Sequence, residues 1–158
     1  MRLYHFTDER NIPSIRAYGL LSWNRLVGQC ISHVPGSNNL SRELDMRRNL
    51  QDYIRLCMDK DHPMAYIAQR DGRVKKLVWL EIDEAVLANS KVLYASDNAT
   101  ANRTIINADQ STVLYSTARQ REILILGVIL PRYIVFPASH STTASRRISR
   151  NGYVRSTL

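Results

Sequence analysis

Apolar residues come along this chain in short runs, each closed by polar or turn-forming residues. Leu3 to Phe6 alternates as a strand does, and Leu77–Ile82 is a compact apolar run of the same kind. Tyr53–Met58, Val92–Tyr94, Glu122–Ile129 and Tyr133–Phe136 are expected as further strands. Helix signals are fewer. Thr7-Asp8 reads as a cap for a helix carried by Asn11-Ile12-Pro13-Ser14-Ile15, and Gly19 is placed to end it, with Leu20-Leu21 packing after it. Ser41 is expected to cap a second short helix, Pro63 to open a third, and Asp83–Leu87 to form a fourth, with a turn at Asp71-Gly72. Residues 22–39 and 96–112 are polar and loop-like; the first is the longest irregular stretch, and loops of its length are usually functional or mobile. Many short strands with few short helices predict an α+β domain with a mixed or split sheet. Residues 1–137 are expected as one domain, and 138–158 as a basic tail, partly disordered.

Charge changes this picture. The 158 residues carry 22 Lys+Arg against 14 Asp+Glu, a formal net charge of +8, and lysine appears only at 60, 75, 76 and 91. Arginine therefore supplies most of the excess, and its planar fork suits phosphate recognition and stacking. A polyanionic partner, nucleic acid most simply, is expected; the alternative is a solvated surface. No apolar run reaches the roughly 18 residues of a membrane helix, so no membrane role is expected. The opening "MRLYHFTDER" lacks the apolar stretch of a signal peptide, and Cys30 and Cys57 fit no ligand spacing. Both read as reduced thiols of a cytoplasmic protein.

Familiar chemistry is missing. There is no P-loop, GxGxxG or GxSxG, and His5, His33, His62 and His140 are scattered, so no metal site is expected. What remains are polar residues near strand ends. His5 sits inside the first strand, where a core role is the plainer reading. Glu122 opens an apolar strand, and Gln120 would share its face if that strand reached back two residues. A carboxylate there is usually a guard against aggregation. Arg42, Arg47, Arg48 and Arg55 form a cluster of the kind usually found on a solvated helix face.

Taken together, "LYHFT", "NIPSIRAYGLL", "SRELDMRRNLQDYIRLCM", "HPMAYIAQRDG" and "RQREILI" resemble, in order and spacing over residues 3–130, the DarT family of DNA ADP-ribosyltransferase toxins. The resemblance implies an ADP-ribosyltransferase fold, a split sheet with short flanking helices that clasps NAD in a cleft. It implies that Glu122 is the catalytic carboxylate, steadying the oxocarbenium ion formed as nicotinamide leaves, and that Gln120 reads the substrate. His5 would hydrogen-bond the NAD ribose, helped by Thr7 and the backbone near Gly19 and Leu20. Ser41 would lie where the loop reaches the cleft, and Tyr53 and Tyr66 would line the nicotinamide pocket. Arg42 is the first choice for the catalytic arginine and Arg48 the second.

The family's usual acceptor is a base of single-stranded DNA, which unstacks cheaply. Arg48, Arg119, Gln120 and Arg121 are the expected nucleic-acid contacts, and Arg146, Arg147, Arg150 and Arg155 of the tail would add non-specific attraction. RNA or protein as the acceptor, and a non-catalytic basic binding module, remain open. A toxin or phage-defence effector would have a macrodomain antitoxin as partner.

Overall fold

The computed structural model describes residues 1–138. The tail arginines and their expected disorder lie outside the described residues. In chain order the elements are β1 (Leu3–Asp8), α1 (Ile12–Tyr18), β2 (Leu20–Leu21), α2 (Trp23–Gly28), α3 (Asn39–Arg47), β3 (Tyr53–Cys57), α4 (Pro63–Arg70), β4 (Leu77–Ile82), β5 (Val92–Ala95), β6 (Ile106–Asn107), α5 (Ser111–Leu114), β7 (Glu122–Leu126), β8 (Val128–Ile129) and β9 (Ile134–Val135). Short 3₁₀ turns cover Glu9–Asn11, Glu84–Leu87 and Pro131–Tyr133.

The strands form one seven-stranded sheet in the order β6-β5-β7-β3-β1-β4-β9, and β2 pairs β8 beside it. Every pairing is antiparallel, so the sheet is split but not mixed in direction. The split lies between β1 and β3. β1 is paired along its whole length with β4, and β3 along its whole length with β7. β1 and β3 meet at a single register pair, Tyr4 opposite Cys57. Beyond it the strands part, and the side chain of His5 takes up the slack: its Nδ1 lies 3.0 Å from the Arg55 carbonyl oxygen.

Local chemistry explains the elements around this opening. Asp8 ends β1 and caps the next turn by accepting from the Arg10 N–H at 2.9 Å. α1 follows with Pro13 in its first turn, where a missing N–H costs nothing. Gly19 closes it at φ +81°, donating its N–H to the Ile15 carbonyl at 2.8 Å. A Cβ at this position would stand 2.1 Å from the Ile129 carbonyl oxygen, so only glycine fits. The apolar run expected as one strand from Glu122 to Ile129 breaks at Gly127, φ +81°, into β7 and β8, which join different sheets. The loop expected over residues 22–39 contains α2, and that over 96–112 contains β6 and α5. Asn38, not Ser41, caps α3: its side chain accepts the Ser41 N–H at 2.8 Å.

β7 is buried on both faces, which is why it reads as a continuous apolar run. Ile123 and Ile125 join Leu3, Ile54, Leu56 and Leu80 in the main core. Leu124 packs on the other face against Leu50, Ala95 and Ala99. By the two-residue period of a strand, Glu122 shares Leu124's face.

Candidate active site

The parting of β1 and β3 opens a cavity of about 240 Å³. β1 supplies Tyr4 to Thr7, β3 supplies Tyr53 to Cys57, and the segment Val34–Ser37 walls it from the side. Asn11 fixes that wall. Its Nδ2 donates to Thr7 Oγ1 at 3.0 Å and to the Val34 carbonyl at 2.8 Å, and its Oδ1 accepts the Val34 N–H at 2.7 Å. Arg73 donates to the Gly36 carbonyl from below. Thr7 is thus spent on the scaffold through Asn11, although it lines the cavity.

Glu122 lies in this cavity and is 5% exposed, not at a solvated strand end. Oε2 accepts the Ala99 N–H at 2.8 Å and lies 3.5 Å from Arg55 Nη1. Arg55 in turn holds Asp45 of α3 through Nη2. Oε1 carries neither contact; 4.0 Å from it stands His62 Nε2. Burial pushes the Glu122 carboxyl above the ordinary glutamate value, against the Arg55 charge and the Ala99 N–H. Burial, then the Glu122 charge, pushes the Cys57 thiol up to about 12, so Cys57 is no nucleophile at neutral pH.

His5 and His62 line the cavity along with the carboxylate. His62 is 2% exposed and caps α4, its Nδ1 accepting the Met64 N–H at 3.3 Å. That bond leaves the ring proton on Nε2, the atom nearest Glu122. His5 donates from Nδ1 to the Arg55 carbonyl, which leaves Nε2 as an acceptor. Burial lowers the pKa of both rings, so both are neutral near pH 7. Among the described residues four buried side-chain polar atoms lack a hydrogen-bond partner, and three of them, Ser22 Oγ, His33 Nε2 and His62 Nε2, line this cavity. Buried orphans are costly unless a ligand satisfies them. The donor and acceptor mix, with Trp23 and His33 packed edge to face at 5.2 Å, suits a nucleotide.

The expected site residues divide. His5, Thr7, Gly19, Leu20, Ser41, Tyr53 and Glu122 all line the cavity. Tyr66 does not: Ala65 and Ala68 turn inward on α4, and Tyr66, one helical step away, is 52% exposed. Gln120 does not share Glu122's face, because β7 begins at Glu122 and residue 120 lies in a turn. Arg42 donates to the Ser37 carbonyl at 3.1 Å and to Asn39, and stacks over Trp23 at 4.7 Å, so it sits at the rim beside the wall. The guanidinium at the carboxylate belongs to Arg55. Arg48 donates to two carbonyls and carries no free fork for phosphate. Arg119 is exposed and pairs with Asp61, while Arg121 is mostly covered, donating to the Ala118 carbonyl at 2.9 Å.

Sequence reasoning passed over Arg55, Asn11 and His62. A charged residue inside the strand "YIRLC", two positions from Tyr53 and from Cys57, was the available sign for Arg55.

Three comparisons bear on this site. A family model described as "ssDNA thymidine ADP-ribosyltransferase, DarT" matches residues 4–115, which stops short of Glu122. No curated protein sequence matches the chain. Among solved structures, Thermosipho africanus DarTG in complex with ADP-ribose superposes with a TM-score of 0.70 at 21% identity, over 84% of this chain and 42% of that one. Thermus sp. 2.9 DarT in complex with ADP-ribosylated ssDNA gives 0.68 at 15% identity, over 87% of this chain and 82% of that one. The same Thermus protein in complex with NAD+ gives 0.60 at 16% identity, over 84% and 78%. At such identities the likeness establishes a shared fold. The chain spans under half the length of the Thermosipho protein.

Proposed function

The chain belongs to the DarT family, whose model matches residues 4–115, and from that we propose that it transfers ADP-ribose from NAD to a thymine base of single-stranded DNA. The observation that carries the reading is Glu122, a buried carboxylate in the split of the sheet with one oxygen tied and the other facing the cavity. The bond between the nicotinamide nitrogen and the ribose anomeric carbon breaks, and nicotinamide leaves as a neutral molecule with the bonding pair. Glu122 stabilises the oxocarbenium charge that develops. The base's one ring N–H attacks the anomeric carbon, and its proton passes to Glu122 Oε1 and then to solvent. His62 Nε2, 4.0 Å from that oxygen and without a partner of its own among the described residues, is a donor free for the substrate beside it.

Neutral His5 offers Nε2 to a ribose hydroxyl, with Ser22 and His33 taking further polar groups of the dinucleotide. Tyr53 and Trp23 give it apolar walls. Arg42, at the rim, has both Nη atoms on Ser37 and Asn39 and stacks over Trp23, so it braces the wall against which the dinucleotide lies. The +8 charge and exposed Arg119 favour a polyanionic acceptor. Membership of this family, and likeness to a DarTG protein, support a toxin paired with a macrodomain antitoxin.

The test is transfer of label from NAD carrying it in the adenylate half. Single-stranded DNA with thymine should take the label; thymine-free DNA, RNA and protein should not. Label on RNA or protein alone would move the acceptor, and no transfer with intact DNA binding would leave a binding module.

A further inference from the structure

A buried carboxylate is useful only while its orientation is held, and one hold on Glu122 traces back to the end of α3. That helix stops where Asn49 turns into left-handed backbone at φ 56°. The Leu50 N–H returns to the Asp45 carbonyl at 2.9 Å, and the Asn49 N–H to the Met46 carbonyl at 3.2 Å. This closed C-terminal motif fixes the last turn of the helix, with Leu50 buried beneath it. Asp45 and Arg48 leave that turn toward Glu122 by different routes. Asp45 meets Arg55. Arg48 reaches the segment after β5, donating from Nη1 to the Ala99 carbonyl at 2.7 Å and from Nη2 to the Ala101 carbonyl at 2.8 Å. Ala99 is fully buried, and its N–H is the one that Glu122 Oε2 accepts.

We propose that Arg48 is a positioning residue for the transfer reaction, its two-pronged grip on the Ala99 and Ala101 carbonyls fixing the N–H that orients Glu122. This rests on the reading of Glu122 as the working carboxylate. The segment between β5 and β6 has no ladder bond at Ala99 to do the same work. Two N–H groups on one rigid plane match two carbonyls of one loop, which an ammonium does not. With both Nη atoms engaged by the backbone, Arg48 is a brace and not a phosphate contact.

The groups facing Glu122 are Arg55 and Cys57 from β3, His62 at the start of α4, Asp45 from α3 and Asp97 from the loop itself. Arg48→Lys leaves all of these in the chain and keeps the charge. With the Ala99 N–H loosened, the ionised carboxylate loses a donor, so Glu122 should titrate at higher pH than in the parent protein. Carbon-13 NMR of glutamate-labelled protein measures this whether or not transfer occurs. In transfer assays kcat should fall about ten- to a hundredfold, and the acid limb of its pH profile should move to higher pH. KM for NAD and the salt dependence of single-stranded DNA binding should be unchanged. Methylguanidinium should restore part of the activity of Arg48→Ala, with thermal melting confirming that each variant is folded. An unchanged Glu122 titration with parental kcat would overturn the proposal. So would weakened DNA affinity and a shallower salt slope at parental kcat, which would make Arg48 a phosphate contact. If the parent protein transfers nothing, the functional reading fails, and the titration still decides whether Arg48 holds Glu122.

Discussion

Arg55 sits between two carboxylates and inside a strand, and its surroundings decide what Glu122 can do. Asp45 neutralises part of its charge, so the Glu122 carboxyl stays raised by burial despite the cation beside it. The sign for activity follows. Glu122 works ionised, so transfer should be lost as pH falls through a pKa above the ordinary glutamate value of about 4.3. A pH–kcat profile reads this directly; an acid limb at or below that value would count against it. For stability the sign is opposite. A carboxyl with a raised folded-state pKa binds its proton more tightly when folded, so its penalty grows as pH rises from the ordinary value through the raised one. Glu122→Gln keeps an acceptor for the Ala99 N–H and removes that penalty. Transfer should fall about 10²–10⁴-fold. Urea melts should show the variant gaining on the parent at neutral pH relative to pH 4. Parental activity in Glu122→Gln would remove this residue from the mechanism.

The element that sets the cavity's shape is β1 with the turn that follows it. Asp8, 1% exposed, accepts from the Arg10 N–H and guanidinium and from the Lys75 N–H at 2.8 Å, which tie the end of β1 to the chain before β4. The Arg10 side chain, against the opposing effect of burial, holds its carboxyl well below the usual range. Its contribution is present above the ordinary aspartate pKa and lost as pH falls below it. Asp8→Asn should cost about 1–3 kcal/mol in denaturant unfolding at pH 7, with the difference shrinking in acid. Gly19 is the second fixed point. Gly19→Ala places a methyl 2.1 Å from a backbone oxygen at a positive φ, so a loss of about 2 kcal/mol or more is expected by thermal melting. NAD affinity should drop with it, since β2 and the cavity wall follow.

For the molecule as a whole, the division into a domain of residues 1–137 and a basic tail predicts separable roles. Deleting residues 139–158 removes Arg146, Arg147, Arg150 and Arg155. NAD-dependent transfer to a saturating oligonucleotide should survive. The salt slope of single-strand binding should flatten by about 0.7 for each phosphate that the tail had neutralised. A deletion that unfolds the remainder would show instead that the tail belongs to the domain.

Strand positions, the Gly19 stop and the class of the fold were legible along the chain, because two-residue alternation, caps and glycine act over a few residues. The motifs around His5 and Glu122 were legible too, as residue types in order. Partnership was not. Whether an arginine between residues 42 and 55 grips a phosphate, a carboxylate or a carbonyl depends on what lies across the sheet, and nothing in local spacing encodes that. The cavity arises because β1 and β3 pair at Tyr4 and Cys57 and then part. Long-range pairing, not local spacing, brought Arg55, His62 and the Ala99 N–H to Glu122 from three segments distant in sequence.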